Sequence, residues 1–145
     1  MSKTKNLVNE LLVDVFNHIL AIEEAQLKEQ GVELSMTEVH VLEAIQNAAE
    51  PTMTNVSRTL RVTIGTLTTS ISTLVRKGYV TRIRGEEDRR VVNLHLTDNA
   101  LEVLKVHAKF HDEMIESVFK DLNIEEDEVL IKSLERVNEY FKTRY

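Results

Sequence analysis

The sequence lacks several features that would define other classes of protein. Its 145 residues include no cysteine, one proline and four glycines. Without cysteine it forms no disulfide, no thiolate nucleophile and no Cys-ligated zinc site. No apolar run approaches the ~20 residues needed to span a bilayer. Residues 1–12 enter an amphipathic pattern directly, without a signal-peptide core. We therefore expect a cytoplasmic protein with no membrane partner.

The composition is that of a folded domain. Hydrophobic residues make up 42% and charged residues 29% of the chain, which is typical of a globular protein and not of a disordered acidic one. A chain of this length buries about 68–70% of its unfolded surface. No linker or repeat interrupts it, so the sequence predicts a single domain over residues 1–145.

The charge is distributed unevenly. The whole chain carries −6, but residues 51–96 contain eight basic and three acidic residues, a net charge of +5. The other residues contain ten basic and 21 acidic side chains, a net charge of −11. A basic central segment in an otherwise acidic chain indicates that one surface contacts a polyanion.

The glycines, the proline and the capping residues mark the predicted helices. A first helix runs from Leu7 to about residue 30 and ends at Gly31. A second is opened by a capping box of Ser35 and Glu38 and is stopped by Pro51. These breaks leave a long first helix with a broad apolar face.

Two further helices form a helix-turn-helix. One is capped by Thr52; the next is capped by Thr63 and ends before Gly78. The three-residue link of residues 61–63 suits this motif. In a helix-turn-helix the second helix enters the DNA major groove.

A hairpin follows directly. Residues 79–84 and 91–96 are rich in β-branched residues and alternate as strands with one buried face do. The six residues between them, which include Gly85, form the loop. Helices are predicted from Thr97 to about Leu122 and from Glu125 onward. The predicted fold is mainly α with a small β-hairpin wing, a winged helix-turn-helix.

The outward face of the second motif helix is rich in short hydroxyls. Thr66, Thr69, Ser70 and Thr73 are poor helix formers. Such hydroxyls approach base edges and phosphates closely. A polar solvent face is the alternative explanation, and the charge pattern and the hairpin favour DNA contact.

The central segment resembles the MarR family of dimeric bacterial transcription regulators. Residues 54–97 carry the resemblance, and they read TNVSRTLRVTIGTLTTSISTLVRKGYVTRIRGEEDRRVVNLHLT. It implies DNA binding by residues of about 35–97, with helices of about 5–30 and 98–145 forming a homodimer that matches a palindromic operator. Arg90 would enter the minor groove, Asp88 would brace it, and Arg89 would contact a phosphate. The expected DNA-binding residues are Ser57, Thr63, Thr66, Thr69, Ser70, Thr73, Arg76, Arg84, Asp88, Arg89 and Arg90; Lys77 is a further candidate for a phosphate contact.

Histidines interrupt the apolar stripe of the fifth helix. His107 and His111 are spaced as a half-site for zinc, and His40 would supply a third ligand. The more common alternative is core histidines satisfied by hydrogen bonds. No bound cofactor or metal is otherwise expected.

A closer resemblance is to the branch of this family that represses fatty-acid biosynthesis. Four segments carry it: FNHILAIEEAQL, EVHVLEAI, residues 61–97 and HAKFHDEM. The resemblance implies long-chain acyl-acyl carrier protein as co-repressor; zinc or an unidentified small apolar ligand stays open. The tentative pocket for the acyl chain is Phe16, Ile19, Leu20, Leu42, Leu104, His107, Phe110, His111 and Met114.

Other classes of function fit less well. The sequence has no phosphate-binding glycine loop, no nucleophile elbow and no paired-carboxylate motif, so an enzyme is not expected. A pure protein-interaction module would leave the basic hairpin unexplained. The sequence therefore predicts a DNA-binding transcriptional repressor.

Overall fold

The computed structural model describes residues 2–122, 124 and 127–144. Contacts divide the chain into two units, Met1–Ala108 and Lys109–Tyr145. The elements in chain order are α1 (Lys3–Glu10), a π-helical turn (Leu11–Val15), α2 (Phe16–Glu29), α3 (Met36–Asn47), α4 (Met53–Leu60), α5 (Ile64–Arg76), β1 (Val80–Arg84), β2 (Val92–Leu96), α6 (Asp98–Leu122) and α7 (Glu128–Arg144).

The predicted first helix is interrupted by a change of hydrogen-bond pattern. It begins earlier than expected, where the Ser2 hydroxyl accepts from the Lys5 amide at 3.3 Å. The π-helical turn Leu11–Val15 separates α1 from α2. Apolar spacing does not distinguish the two patterns over a single turn. The predicted end at Gly31 is confirmed by its φ of +77°.

The capping residues of the next three helices are confirmed. Ser35 and Glu38 form the reciprocal capping box of α3, with bonds of 2.9 and 3.2 Å. The hydroxyl of Thr52 accepts from the Asn55 amide, and that of Thr63 accepts from the Thr66 amide, both at 3.1 Å. Each cap satisfies amides that the first helical turn leaves unpaired.

The core of the first unit lies behind the helix-turn-helix. It is one cluster of buried apolar side chains drawn from α2 to α6 and both strands. Full burial of such a side chain contributes roughly 1.5–3 kcal/mol. The large apolar residues that are almost fully buried are Leu27, Val39, Leu42, Val56, Leu67, Ile71, Leu74, Val80 and Leu94.

The wing is an antiparallel hairpin whose base alone enters this core. Its register runs from Val80 opposite Leu96 to Arg84 opposite Val92. Its loop covers residues 85–91, one more than predicted. We predicted that both strands have one buried face along their length. This prediction is wrong, because the strands extend beyond the core and leave Ile83 54% exposed.

The two last helices follow the wing. The Thr97 hydroxyl accepts from the Ala100 amide at 3.4 Å and caps α6, whose bounds agree with the helix predicted from Thr97 to about Leu122. The expected start of the last helix at Glu125 lies outside the described residues. Within the second unit, Phe119, Leu130 and Leu134 line an apolar cavity of about 320 Å³. Among the described residues, no helix has the length and hydropathy to cross a membrane.

Candidate DNA-binding surface

Helix α5 presents two chemically distinct faces. Leu67, Ile71 and Leu74 point into the core and are almost fully buried. Thr66 and Thr69 are exposed on the opposite side. Burial of the apolar face fixes the rotation of α5, so the hydroxyl-rich face is the one that a ligand meets.

The threonines of α5 present oxygen atoms that can accept hydrogen bonds. The hydroxyl of Thr69 donates to the Gly65 carbonyl at 3.3 Å, and that of Thr73 donates to the Thr69 carbonyl at 3.2 Å. With its proton used inside the helix, each hydroxyl oxygen keeps a lone pair for an outside donor. The exocyclic amino groups of adenine and cytosine are such donors in the major groove.

Ser57 does not belong to this surface. Its side chain is buried, and its hydroxyl donates to the Thr54 carbonyl at 2.8 Å. The expectation that Ser57 contacts DNA is therefore wrong. The serine lies on the inner face of α4, next to the core residue Val56. The hydroxyl side chain suggested a surface position that the helix rotation does not provide.

At the tip of the wing, Asp88 holds Arg90. The Asp88 carboxylate accepts from the Arg90 amide at 3.0 Å, from its Nε at 3.1 Å and from its Nη2 at 3.2 Å. These bonds lower the pKa of Asp88, so the carboxylate is ionised at neutral pH. The Arg90 side chain is nevertheless 91% exposed. The expected brace is confirmed in this geometry, and it leaves the cation available to a polyanion.

The wing loop is closed by short backbone contacts. The Gly85 amide donates to the Val91 carbonyl at 2.8 Å, and the Val91 amide donates to the Asp88 carbonyl at 3.1 Å. A Cβ on Gly85 would lie 2.7 Å from that Asp88 oxygen. Residue 85 must be glycine because the Asp88 carbonyl oxygen approaches its Cα too closely for a side chain. Arg84 donates to the Arg89 carbonyl at 3.4 Å, which places a second arginine at the loop.

The two basic residues that end α5 differ in their surroundings. Arg76 is exposed and suits a phosphate contact. The Lys77 ammonium instead lies 3.0 Å from the Glu33 carbonyl and 3.0 Å from each oxygen of Glu38. Lys77, considered for a phosphate contact from the sequence, is therefore held by protein groups. The sequence near Lys77 could not indicate these contacts, because Glu38 and Glu33 lie 39 and 44 residues away.

The residues of the expected acyl-chain pocket belong to both units and differ in burial. Leu42, Leu104 and His107 are buried in the first unit, and Leu20 packs against its core. Phe16 is half exposed and Ile19 is partly buried. The other three expected residues, Phe110, His111 and Met114, belong to the second unit.

One of the three expected zinc ligands, His40, lies apart from the other two. The Nε2 atom of His107 lies 3.3 Å from the Glu43 carboxylate, and this hydrogen bond raises the pKa of His107. His40 lines a different space, a cavity of about 190 Å³ beside Leu60 and Thr66. Among the described residues, no group of three metal-ligating side chains includes His40. The zinc set of His40, His107 and His111 is therefore not assembled.

A helix-turn-helix followed by a two-stranded wing defines a winged-helix DNA-binding protein. Residues 34–92 match the MarR family. The chain is 32% identical over 107 residues to the HTH-type transcriptional regulator SarZ of Staphylococcus haemolyticus, covering 72% of this chain and 70% of SarZ. It is 30% identical over 112 residues to the uncharacterized HTH-type transcriptional regulator YpoP of Bacillus subtilis, covering 77% of each.

The structure is similar to that of Streptococcus pneumoniae FabT in complex with DNA. The TM-score is 0.84 and the identity 36%, over 97% of this chain and 99% of FabT. The chain belongs to the MarR family. It is a DNA-binding transcriptional regulator and not an enzyme.

Proposed function

We propose that the protein is a homodimeric repressor of fatty-acid-biosynthesis genes that binds a palindromic operator, with long-chain acyl-acyl carrier protein as co-repressor. The observation that carries the proposal is the 36% identity to FabT across almost the whole chain. The four sequence segments that resemble the fatty-acid-biosynthesis branch of the family support the same proposal. No resident metal or cofactor is part of this proposal.

In this proposal, α5 lies in the major groove and the wing reaches the adjacent minor groove. The exposed Thr66 and Thr69 face the base edges. Arg90, braced by Asp88, enters the minor groove, where narrow A·T tracts concentrate negative potential. Arg76 and Arg89, both exposed, neutralise phosphates.

Two sets of exposed apolar side chains support a dimer. In the first unit they lie on α1, the π-helical turn and the start of α2: Leu7, Val8, Leu11, Leu12, Val13, Val15 and Phe16. In the second unit they lie on α7: Val129, Ile131, Leu134, Val137, Tyr140 and Phe141. Monomers rarely expose so many large apolar residues on neighbouring turns. A second copy of the chain covers them, and two-fold symmetry then presents two α5 helices about 34 Å apart to a palindrome.

Co-repression requires a ligand that prefers the DNA-competent state. A ligand that binds both conformations equally shifts neither. An acyl chain needs an apolar path between helices, and Leu20, Leu42 and Leu104 offer apolar side chains in the first unit. The carrier protein presents the chain and supplies the recognition that a free fatty acid lacks.

The test is a titration by fluorescence anisotropy. A labelled fatty-acid-synthesis promoter fragment is titrated at fixed salt with the protein alone, with long-chain acyl carrier protein, with unacylated carrier protein and with zinc. Tightening by the acylated form alone supports the proposal. Tightening by zinc alone, or equal effects of both carrier-protein forms, contradicts the acyl co-repressor. The Arg90→Ala variant is the control for DNA binding through the wing.

A further inference from the structure

The end of α5 is tied to the start of α3 by three short contacts. The Lys77 ammonium lies 3.0 Å from the Glu33 carbonyl oxygen, from Glu38 Oε1 and from Glu38 Oε2. We call these groups, Lys77, Glu38 and the Glu33 carbonyl, the α3–α5 clasp. An ammonium has three donor hydrogens, and the clasp supplies three acceptor atoms for them.

The acidic half of the clasp is itself held in place. Oε2 of Glu38 accepts from the Ser35 amide at 2.9 Å, as part of the α3 capping box. The amide of Met36, the next residue, donates to the Glu24 carboxylate of α2 at 3.2 Å. The clasp is therefore anchored to α3, whose first turn is tied to α2 through Glu24. It is more than a pair of mobile surface charges.

The clasp is partly shielded from solvent. The Glu38 side chain is 16% exposed and the Lys77 side chain 33% exposed. Attraction between opposite charges increases as solvent is excluded, whereas fully exposed pairs contribute little. The pair has the environment in which an ion pair holds a defined geometry.

Lys77 lies at the junction between α5 and the wing. It is the C-cap of α5, and Gly78 follows it with a φ of +85°. The Gly78 carbonyl accepts from the Thr97 hydroxyl at 2.7 Å, just after β2. A change in the position of Lys77 is thus transmitted to the end of α5 and to the base of the wing.

We propose that Lys77 is a positioning residue for DNA binding. The α3–α5 clasp sets the angle of α5 and of the wing on α3, so that the threonine face and Arg90 meet the duplex together. This inference rests on the proposal that α5 and the wing bind DNA. In it, Lys77 acts through Glu38 and does not contact a phosphate.

The two roles of a lysine at this site predict opposite results for Glu38→Gln. If Lys77 contacted DNA, removing a neighbouring negative charge would leave operator binding unchanged or strengthen it. If the clasp positions α5, the same change weakens binding. Glutamine at this position keeps the capping box of α3, so the effect on the clasp is separated from loss of the helix cap.

The experiment measures operator affinity and its salt dependence by anisotropy on the full-length protein. Lys77→Met and Glu38→Gln should each weaken operator binding roughly five- to tenfold, the scale of about one kcal/mol for a partly shielded pair. The double variant should be no weaker than either single variant, since both remove the same interaction. Lys77→Arg should restore most of the affinity. In all of these the slope of log K against log salt stays at its wild-type value.

Two matched controls come from neighbouring residues. Arg76→Met removes the adjacent charge and should reduce the salt slope by about 0.9, as expected for one lost phosphate contact. Glu33→Gln removes an exposed acid beside the clasp but keeps the backbone carbonyl that Lys77 uses, and it should not weaken binding. Thermal unfolding of each variant shows whether affinity changes in protein that remains folded.

Several outcomes would overturn the inference. They are a reduced salt slope in Lys77→Met, unchanged or tighter binding by Glu38→Gln, and fully additive losses in the double variant. Failure of the proposed binding mode gives a different result. In that case Arg90→Ala and Thr69→Val bind the operator as well as the wild type, whatever the clasp variants do.

Discussion

Asp88 and Arg90 form a closed pair at the tip of the wing. One carboxylate accepts from the backbone amide, the Nε and the Nη2 of the same arginine, at 3.0, 3.1 and 3.2 Å. The backbone bond fixes the turn, and the two guanidinium bonds fix the direction of the side chain. The Arg90 side chain remains 91% exposed, so its cation is already oriented in the free protein.

Replacing Arg90 tests this pair directly. We expect Arg90→Ala to weaken operator binding at least tenfold and to reduce the salt slope by about 0.9, because a cation that replaces counterions in the minor groove is lost. It should also remove the preference for A·T pairs at the flanks. Asp88→Asn keeps the arginine but loosens it, and a smaller loss is expected. Anisotropy with A·T- and G·C-flanked operators measures both. Equal affinity of Arg90→Ala and wild type would show that the wing does not bind DNA.

Gly85→Ala should distort the wing without unfolding the protein. The added Cβ would lie 2.7 Å from the Asp88 carbonyl oxygen, so the loop must shift and Arg90 with it. We expect weaker operator binding and a melting temperature close to that of the wild type. Gly65→Ala is the matched control, because its Cβ meets nothing closer than 3.9 Å and alanine favours a helix. That variant should be at least as stable as the wild type. Wild-type affinity in Gly85→Ala would contradict the role of the close approach.

Arg61 occupies a conformation that normally suits glycine. It is the one described non-glycine residue with a positive φ, +56°, at the turn between α4 and α5. The left-handed conformation costs an L-residue roughly 1–2 kcal/mol, offset in part by the larger unfolded-state entropy of glycine. Arg61→Gly should therefore raise the free energy of unfolding by about 0.5 kcal/mol. Urea denaturation measures it, with Arg61→Ala, which keeps the strain, as control. A less stable glycine variant would contradict the assignment of strain.

The contact between buried His107 and partly exposed Glu43 predicts a dependence of stability on pH. The pKa of His107 is raised above 6.5, first by the hydrogen bond to Glu43, against the effect of burial and with the charges of Glu43 and Glu23 assisting. The folded protein therefore binds this proton more tightly than the unfolded chain. The resulting stabilisation is complete below about pH 6.5 and is lost as the pH rises through the raised pKa.

Thermal melts between pH 5.5 and 8.5 test this dependence. The melting temperature of the wild type should fall more steeply with rising pH than that of His107→Gln. Glu43→Gln should show the same flattened profile, since it removes the partner that raises the pKa. Parallel profiles for wild type and both variants would contradict the coupling.

A charge on the exposed face of α7 should disrupt the proposed dimer. Leu134 is 56% exposed in the single chain, and burying a glutamate there against a second copy is unfavourable. Leu134→Glu should sediment as a monomer and lose most of its operator affinity. Lys132→Glu places a glutamate at an exposed polar position of the same helix and should remain dimeric. A monomeric wild type would exclude the dimer outright.

Local chemistry made most of the fold predictable. The capping side chains of Ser35, Thr52 and Thr63 act within three residues of their partners, and the sequence displays such pairs directly. Gly78 was predictable for the same reason, since a left-handed residue ends a helix. The alternation of the hairpin strands was also visible, although it does not reveal how far a strand extends beyond the core.

The features that the sequence did not reveal depend on distant partners or on small rotations. The contact of Lys77 with Glu38 joins residues 39 positions apart, and no local pattern encodes it. The burial of Ser57 depends on which side of a short helix faces the core. The pairing of His107 with Glu43 depends on how α6 meets α3. Each of these residues was a candidate from its chemical type, but its surroundings could be identified only from the tertiary structure.

The base of the wing is joined to the turn that precedes α4. The Leu94 amide donates to the Pro51 carbonyl at 2.8 Å, and Thr52 forms a β-bridge with Asn93. These contacts join the hairpin to the start of the helix-turn-helix and so restrict the separation between Arg90 and the threonines of α5. If α5 and Arg90 bind neighbouring grooves as proposed, the distance between them must match the spacing of the major and minor grooves. We therefore expect the affinity to depend on the twist of the duplex as well as on its bases, so over- or underwinding of the operator should alter binding without any change in sequence.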